Sequence, residues 1–369
     1  MMTTRRTDYA VIGAGVLGCL IAREILTRDP HASVALLERD AVASGATRRS
    51  AGLHFPRGSS PRVRRMASHS QQWYAALKAA RPELPVHSLR MTVVAPTAEE
   101  AQLRRTYLPE AKLRPATELP ATIGPLPAGM SAWEGDGCQY ADVHALTQVL
   151  ARELRPTAEF REGVQVTGVT PTADGVHLDL GTGDALTAGH VVLAPGPWLA
   201  APAWKDLVAP LGARVKKVVA LHIEIPPAAD ERAIIFQDED AFLLPYHERG
   251  HWLFSYTCQE WDVDPDTVPA SLSPTGRGEA LATLRQYAPH LVKHCTSGRV
   301  FCDAYGPDAE PLVRALTEDG RVVFAGAANG SGYRLAPAIT AEAADLLPLP
   351  PERNLPSQRT LPSQRKDAA

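Results

Sequence analysis

Gly13, Gly15 and Gly18 stand in the spacing G-x-G-x-x-G, directly after the apolar run "YAVI" (9–12). The following segment switches to helical periodicity through Leu17, Leu20, Ile21 and Ile25, so the glycines mark a tight turn from a buried strand into a helix. A second apolar run, "SVALLE", ends at Glu38, twenty residues beyond Gly18. This combination constrains the fold to an α/β unit of the Rossmann type. Gly13 permits the turn, Gly15 lets main chain approach a pyrophosphate, and Gly18 lets helix and strand pack closely. The helix N-terminus favours negative charge, and Glu38 can accept hydrogen bonds from an adenosine ribose. Val16, Leu17 and Arg39 flank these positions and join the candidate dinucleotide-binding set.

One such unit does not account for 369 residues, and the length predicts two domains. Hydrophobic residues make up 45% of the chain and 38 basic residues face 41 acidic ones, a balance that gives no global attraction to nucleic acid or anionic membrane. Five cysteines without a C-x-x-C pair suit a reducing compartment, and we expect a cytoplasmic protein. The start "TRRTDYAVIGAGVLGCLIA" has the twin arginine of an export signal, but its glycines serve the turn just described. No segment reads as a membrane span.

Residues 41 to 82 hold no acid and eight bases, six of them arginines between Arg48 and Arg65, so an anionic partner is expected there. Within this stretch a helix is predicted with Ser60 as N-cap, Pro61 in its first turn, and Val63, Met66, Ser70, Trp73 and Leu77 on one face. A proline-rich middle carries one strand, "RMTVVAP", before "DVHALTQVLAREL" resumes helical spacing. Short strands follow at "GVQVTGV", "GVHLDL" and "HVVLAPG". A second group, "RVKKVVALHIEI", "AFLLPY" and "HWLFSYT", reads as an antiparallel sheet. A helix near 278–291 precedes the closing strand, glycine turn and helix of "RVVFAGAANGSGYRLAPAITAEAADLL". The tail from Pro348 repeats "LPSQR" and is expected to be disordered.

The fingerprint alone serves nicotinamide and flavin dinucleotides equally. The loop "SGATRRSAGL" (44–53) resembles the flavin loop of the D-amino acid oxidase, glycine oxidase and sarcosine oxidase family. "FREGVQVTGV", "VVLAPGPWLA" and "VVFAGAANGSGYRLAPAI" resemble further segments of that family in the same order, over residues 8 to 347. The resemblance implies FAD as cofactor. It places Ser44, Thr47, Arg49, Ser50, Ala51, Gly52 and Leu53 near the flavin, Val166 at the adenine, and Ala194, Gly196 and Trp198 beside the cofactor. Gly326, Gly330, Gly332, Tyr333, Arg334 and Leu335 form the closing motif against the ring. The implied fold is a glutathione-reductase-like FAD-binding domain (8–80, 142–200, 300–347) plus an α+β substrate domain on an antiparallel sheet (81–141, 201–299), with 348–369 as tail.

Arg334 falls where sarcosine oxidases have a substrate-binding lysine, and its planar fork suits a carboxylate. His54 and Arg57, in "LHFPRG", are candidates for the pocket wall. Glycine and D-amino acid oxidases carry an arginine in the strand before the closing turn. In "FCDAYGPDAEPL" Asp303 stands there instead, which leaves the substrate class open. Cys302 is offset by about one position from the flavin-attaching cysteine of sarcosine oxidases, so a noncovalent cofactor is expected. "HERGH" reads as a turn, so His247 and His251 are not expected to bind metal, and the acids of "WEGDG" and "QDED" are assigned no chemistry.

The resemblance therefore implies oxidation of the carbon–nitrogen bond of an amino acid or secondary amine, with oxygen as acceptor. Three alternatives stand beside it: a dehydrogenase using a quinone or protein acceptor, a non-catalytic flavin-binding subunit, and a nicotinamide-dependent dehydrogenase.

Overall fold

The computed structural model describes residues 5–269 and 271–350. The expected tail lies outside this range apart from 348–350, where the Pro348 carbonyl oxygen sits 3.5 Å from the Tyr9 hydroxyl. The first strand, Arg5–Ile12, is longer than its apolar run, because Arg5 and Arg6 continue the pairing against Leu186 and Thr187. It is the inner strand of a sheet ordered Leu312–Ala315, Val322–Gly326, Ala185–Leu193, Arg5–Ile12, Val34–Glu38, Glu159–Glu162. Along this order all neighbours are parallel except the Leu312–Ala315 edge, and Gly175–Leu180 joins the same sheet by pairing antiparallel with the start of Ala185–Leu193. Parallel strands covered on both faces read as continuous apolar runs, which is why this sheet was visible in the sequence.

One face is covered by helices Val16–Arg28, Pro61–Ala80, Val143–Leu154 and Ala336–Asp345. The other packs against the antiparallel pair Val166–Thr172 and Gly175–Leu180, together with Trp204 and Val208. Ser60 caps the Pro61–Ala80 helix, its Oγ accepting from the Val63 N–H at 3.2 Å. Tyr74, not Trp73, takes the buried place on that helix and donates to the Tyr333 carbonyl oxygen at 2.7 Å. Trp73 lies half-buried beneath the Arg23 guanidinium. Part of the basic stretch meets acids of this same chain, since Arg62 pairs with Glu310 at 3.0 Å and Glu342 at 2.5 Å.

The second sheet runs Cys295–Tyr305, Arg214–Ile223, His251–Tyr256, Ala241–Tyr246, Ala233–Phe236, Val86–Pro96, Met130–Ala141, Leu53–His54, with Arg114–Pro115 on its flank. The expectation of an antiparallel sheet needs one correction: Ala233–Phe236 pairs parallel with Val86–Pro96. Met130–Ala141 went unseen because Gly135, Gly137, Glu134 and Asp136 break its alternation, and the facing strand shifts register at Leu89/Met91. Helix Pro274–Tyr287 begins four residues earlier than expected and packs its Ala280, Leu281 and Leu284 on this sheet. Leu53–His54 pairs within the second sheet although the segments on both sides of it serve the first, and Cys295–Tyr305 pairs within the second sheet although the strands that follow it belong to the first, so the chain crosses between the sheets at both places. Among the described residues no helix is long and apolar enough to cross a membrane, and no cluster of His, Cys, Asp and Glu has metal-site geometry.

Candidate cofactor and substrate site

The turn after Arg5–Ile12 admits only glycine. Gly13 has φ +99, and a Cβ there would lie 2.4 Å from the Ala194 carbonyl oxygen. A Cβ on Gly18 would meet the Gly13 oxygen at 1.8 Å, so this glycine seats the helix on the turn and does not line the cavity. Helix Val16–Arg28 has no side-chain cap at Gly15 and no acid in its first turn. Thr47 Oγ1 accepts from the Val16 N–H at 3.0 Å, tying the 44–53 loop to the helix start. Glu38 accepts from the Ala14 N–H at 2.9 Å and the Asp40 N–H at 3.0 Å, which orders the turn and still leaves carboxylate lone pairs for hydroxyl donors.

The closing turn lies across the same space. Ala327, Asn329 and Gly330 have φ of 48, 54 and 71, three left-handed positions within four residues that turn the main chain sharply here. Both turns open into one cavity of about 520 Å³. Of the candidates named from sequence, the cavity is lined at the first turn by Gly13, Gly15, Val16, Leu17, Glu38 and Arg39, and from the second loop by Thr47, Ser50, Ala51, Gly52 and Leu53. Val166, Ala194, Gly196 and Trp198 line it further along, and Gly326, Gly330, Gly332, Tyr333, Arg334 and Arg57 complete the set. Sequence reasoning missed Gly45, where a Cβ would press on Trp198 at 3.0 Å, Ser331 inside the closing motif, and Tyr305; Asp240, one of the "QDED" acids assigned no chemistry, also lines the cavity.

Four further candidates do not reach the cavity. Ser44 stays in its own loop, 3.4 Å from the Ala41 N–H. The Arg49 guanidinium turns back toward the Gly45 carbonyl, while the Arg49 carbonyl accepts from Arg299 at 3.1 Å. Leu335 is buried at the start of the last helix. His54 is fully buried beneath Arg334: its Nδ1 lies 3.2 Å from the Arg334 carbonyl oxygen and its Nε2 2.5 Å from the Gln71 side-chain amide. Burial lowers its pKa to about 4, so the ring is neutral and carries a single N–H between two acceptor oxygens, the Arg334 carbonyl and the Gln71 Oε1. His54 is therefore a brace behind the pocket, not part of its wall.

Arg334 itself is 8% exposed and has no carboxylate partner among the described residues. It donates to the Arg57 carbonyl oxygen and to Ser331 Oγ at 2.8 Å, and its guanidinium lies 5.2 Å from the centre of the Phe55 ring. Burial, and then the Arg57 charge, lower its pKa to about 9, which leaves it cationic at neutral pH. Arg57 Nε and the Tyr107 hydroxyl are buried without partners close by. Two guanidiniums and a phenol converge here with no anion, an arrangement costly to keep dry unless a ligand supplies the charge.

Arg39 and Trp198 are held to one another at another part of the wall. The Arg39 guanidinium stacks 4.2 Å from the Trp198 ring, and Asp266 accepts from Arg39 at 2.7 and 3.1 Å and from Trp198 Nε1 at 2.7 Å. Cys302 faces away: it lies in the core with Val215 and Ala304, while its neighbours Phe301 and Asp303 line the cavity. Burial raises its thiol pKa to about 11.

These features fit FAD. The Gly13 turn and the helix start, which carries no acid in its first turn, would hold the pyrophosphate, Glu38 the ribose, and the Ala327–Gly332 turn the ring. Solved structures with the same fold include glycine oxidase from Geobacillus kaustophilus, at 21% identity over 93% of this chain and 95% of that one, TM-score 0.77. L-proline dehydrogenase from P. horikoshii matches at 17% identity over 93% of each chain, TM-score 0.76. L-alpha-glycerophosphate oxidase from Mycoplasma pneumoniae, a structure with FAD bound, matches at 17% over 98% of this chain and 100% of that one, TM-score 0.76. No curated protein matches by sequence. The family model described as FAD dependent oxidoreductase (DAO) matches residues 8–346, and the chain belongs to that family.

Proposed function

We propose that this FAD-dependent oxidoreductase oxidises the carbon–nitrogen bond of an amino acid or secondary amine to an imine, which water then hydrolyses, and that oxygen is the final acceptor. The observation that carries the reading is the unpaired cationic group at Arg334, with Arg57 and Tyr107 beside it, on a turn thin enough for close approach by a flat ring. Bound FAD supplies the two-electron acceptor. The chain's part is positional: Arg334 holds a substrate carboxylate through its planar fork, His54 fixes the carbonyl of that residue, and Phe55 keeps water off the guanidinium.

Glycine oxidase and L-proline dehydrogenase, by their names, act on amino acids with different acceptors, and both share this fold. The proposed division into an FAD-binding part (8–80, 142–200, 300–347) and a substrate part (81–141, 201–299) follows the two sheets except at the crossing strands. The deciding experiment is an anaerobic screen of amines and amino acids for bleaching of the bound-flavin absorbance. Readmitting air with stoichiometric peroxide supports the oxidase; bleaching with slow, peroxide-poor recovery assigns another acceptor. A folded, FAD-loaded protein that no amine or amino acid bleaches rules the reading out.

A further inference from the structure

The cavity wall carries an acid that the carboxylate anchor does not use. Asp303 lies on the Cys295–Tyr305 strand between Phe301 and Tyr305, with its side chain on the cavity-lining face. Its residual exposure is to the cavity, and it has neither a hydrogen-bond partner nor an ion-pair partner among the described residues. Asp240, on the turn before Ala241–Tyr246, lines the same cavity from an exposed position. The residue across the ladder from Asp303 is Lys216, yet its ammonium is placed over the Trp261 and Tyr305 rings, at 4.7 and 5.6 Å from their centres. Ser255 and Thr257 add hydroxyls to this part of the wall.

One cavity thus holds two groups of opposite sign that have no ion-pair partner among the described residues, Arg334 near Arg57 and Asp303 near Asp240. Burial, and then the neighbouring charge of Asp240, raise the Asp303 pKa to about 6, so at neutral pH it is mostly an anion without a counter-ion. An ionised carboxylate beside the reacting nitrogen would hold the proton that has to leave before oxidation. The cation it suits is a second, non-reacting one.

We infer that Asp303, with Asp240 at the rim, is a cation-recognising subsite, and that the substrate is a carboxylate bearing a non-reacting ammonium or guanidinium in addition to its oxidised nitrogen. This rests on the amino-acid reading for its chemistry, but the subsite can be tested without turnover. The FAD-loaded protein is titrated with ω-aminoalkanoates from 3-aminopropanoate to 6-aminohexanoate and with alkanoates of matching length. Binding is read by the perturbation of flavin absorbance and of tryptophan fluorescence. At least one ω-amino acid binds about ten- to a hundred-fold tighter than its alkanoate, the worth of a charge-assisted hydrogen bond. In Asp303→Asn that ratio falls to within about threefold, and Asp240→Asn lowers it less.

Equal binding of the two series by the wild type, no binding by any ω-amino acid, or a ratio that survives in Asp303→Asn overturns the subsite. Lysine against norleucine, in both enantiomers, is then compared in the anaerobic bleaching assay. If the ω-amino acids bind through Asp303 while no amino acid bleaches the flavin, the subsite stands and amino-acid oxidation falls. If norleucine bleaches as fast as lysine and the binding ratio is absent, the oxidation reading stands and the subsite falls.

Discussion

His54 Nδ1 lies 3.2 Å from the main-chain carbonyl oxygen of Arg334, a contact that ties the edge of the second sheet to the turn carrying the pocket's guanidinium. The contact has an acid limit. The unfolded chain protonates this histidine near pH 6.5 and the folded one only near 4, so the stability it contributes is full above pH 6.5 and is lost as pH falls towards 4. The loss amounts to roughly 3 kcal/mol at 1.36 kcal/mol for each pH unit between the two values. His222 titrates over the same window, so the measurement is a difference: urea unfolding of wild type and His54→Gln at several pH values. The variant should show the shallower decline, and parallel curves would refute the buried neutral ring.

Replacing Arg334 with leucine should leave FAD bound, because the turn offers its main chain to the ring, while kcat/KM for a carboxylate substrate falls by about two to four decades. Lysine should restore part of the loss, since it keeps the charge without the bidentate fork. Normal turnover by the leucine variant would make Arg334 a structural residue.

The sequence made the first sheet and its glycine turn legible because parallel, doubly covered strands are unbroken apolar runs, and because Gly13 and Gly18 answer steric demands within a short stretch of chain. It could not tell that Arg334 lacks an acidic partner, since that depends on where Arg57, Tyr107 and Phe55 arrive from other segments. His54 shows the same limit from the other side. A histidine beside a flavin-loop motif reads as a pocket residue, and only the packing of Gln71 and Arg334 around it reveals a brace. Met130–Ala141 is hidden by the glycines and acids that break its alternation, and Ala233–Phe236 by its length, since four apolar residues are too short a run to tell strand from helix.

The Arg39–Asp266–Trp198 cluster should control how long the cofactor stays. Asp266 belongs to a segment following His251–Tyr256, whereas Arg39 and Trp198 line the cavity beside the first sheet. Asp266→Asn removes the charge from two hydrogen bonds to Arg39 and should raise the FAD dissociation rate about tenfold, as one charge-assisted contact would. Stopped-flow transfer of FAD to an excess of apo-flavodoxin reports the rate. High salt should produce a similar acceleration in the wild type and little in the variant.

Flavin should be released by acid precipitation, leaving a colourless pellet. Cys302 points into the core beside Val215, and its thiol is held protonated by burial, so it is poorly placed to bond the ring. Colour that remains with the denatured chain, and disappears in Cys302→Ala, would show a covalent link.

Asp303 should lower the stability of the protein in which it sits. Its carboxyl titrates near 3.8 when unfolded and about 6 when folded, so the folded state favours the proton, and stability is highest below pH 3.8 and declines as pH rises through 6. Asp303→Asn removes that decline and should be more stable than wild type at pH 7.5 by up to roughly 3 kcal/mol, with the gap closing near pH 4. Urea unfolding at the two pH values measures it. Should Lys216 swing from Trp261 to pair with Asp303 in solution, the acid would instead be stabilised as an anion, and the asparagine variant would unfold at lower urea at pH 7.5. A cationic ligand that raises wild-type stability more than that of Asp303→Asn would link the cost of holding this carboxylate ionised to the recognition it provides.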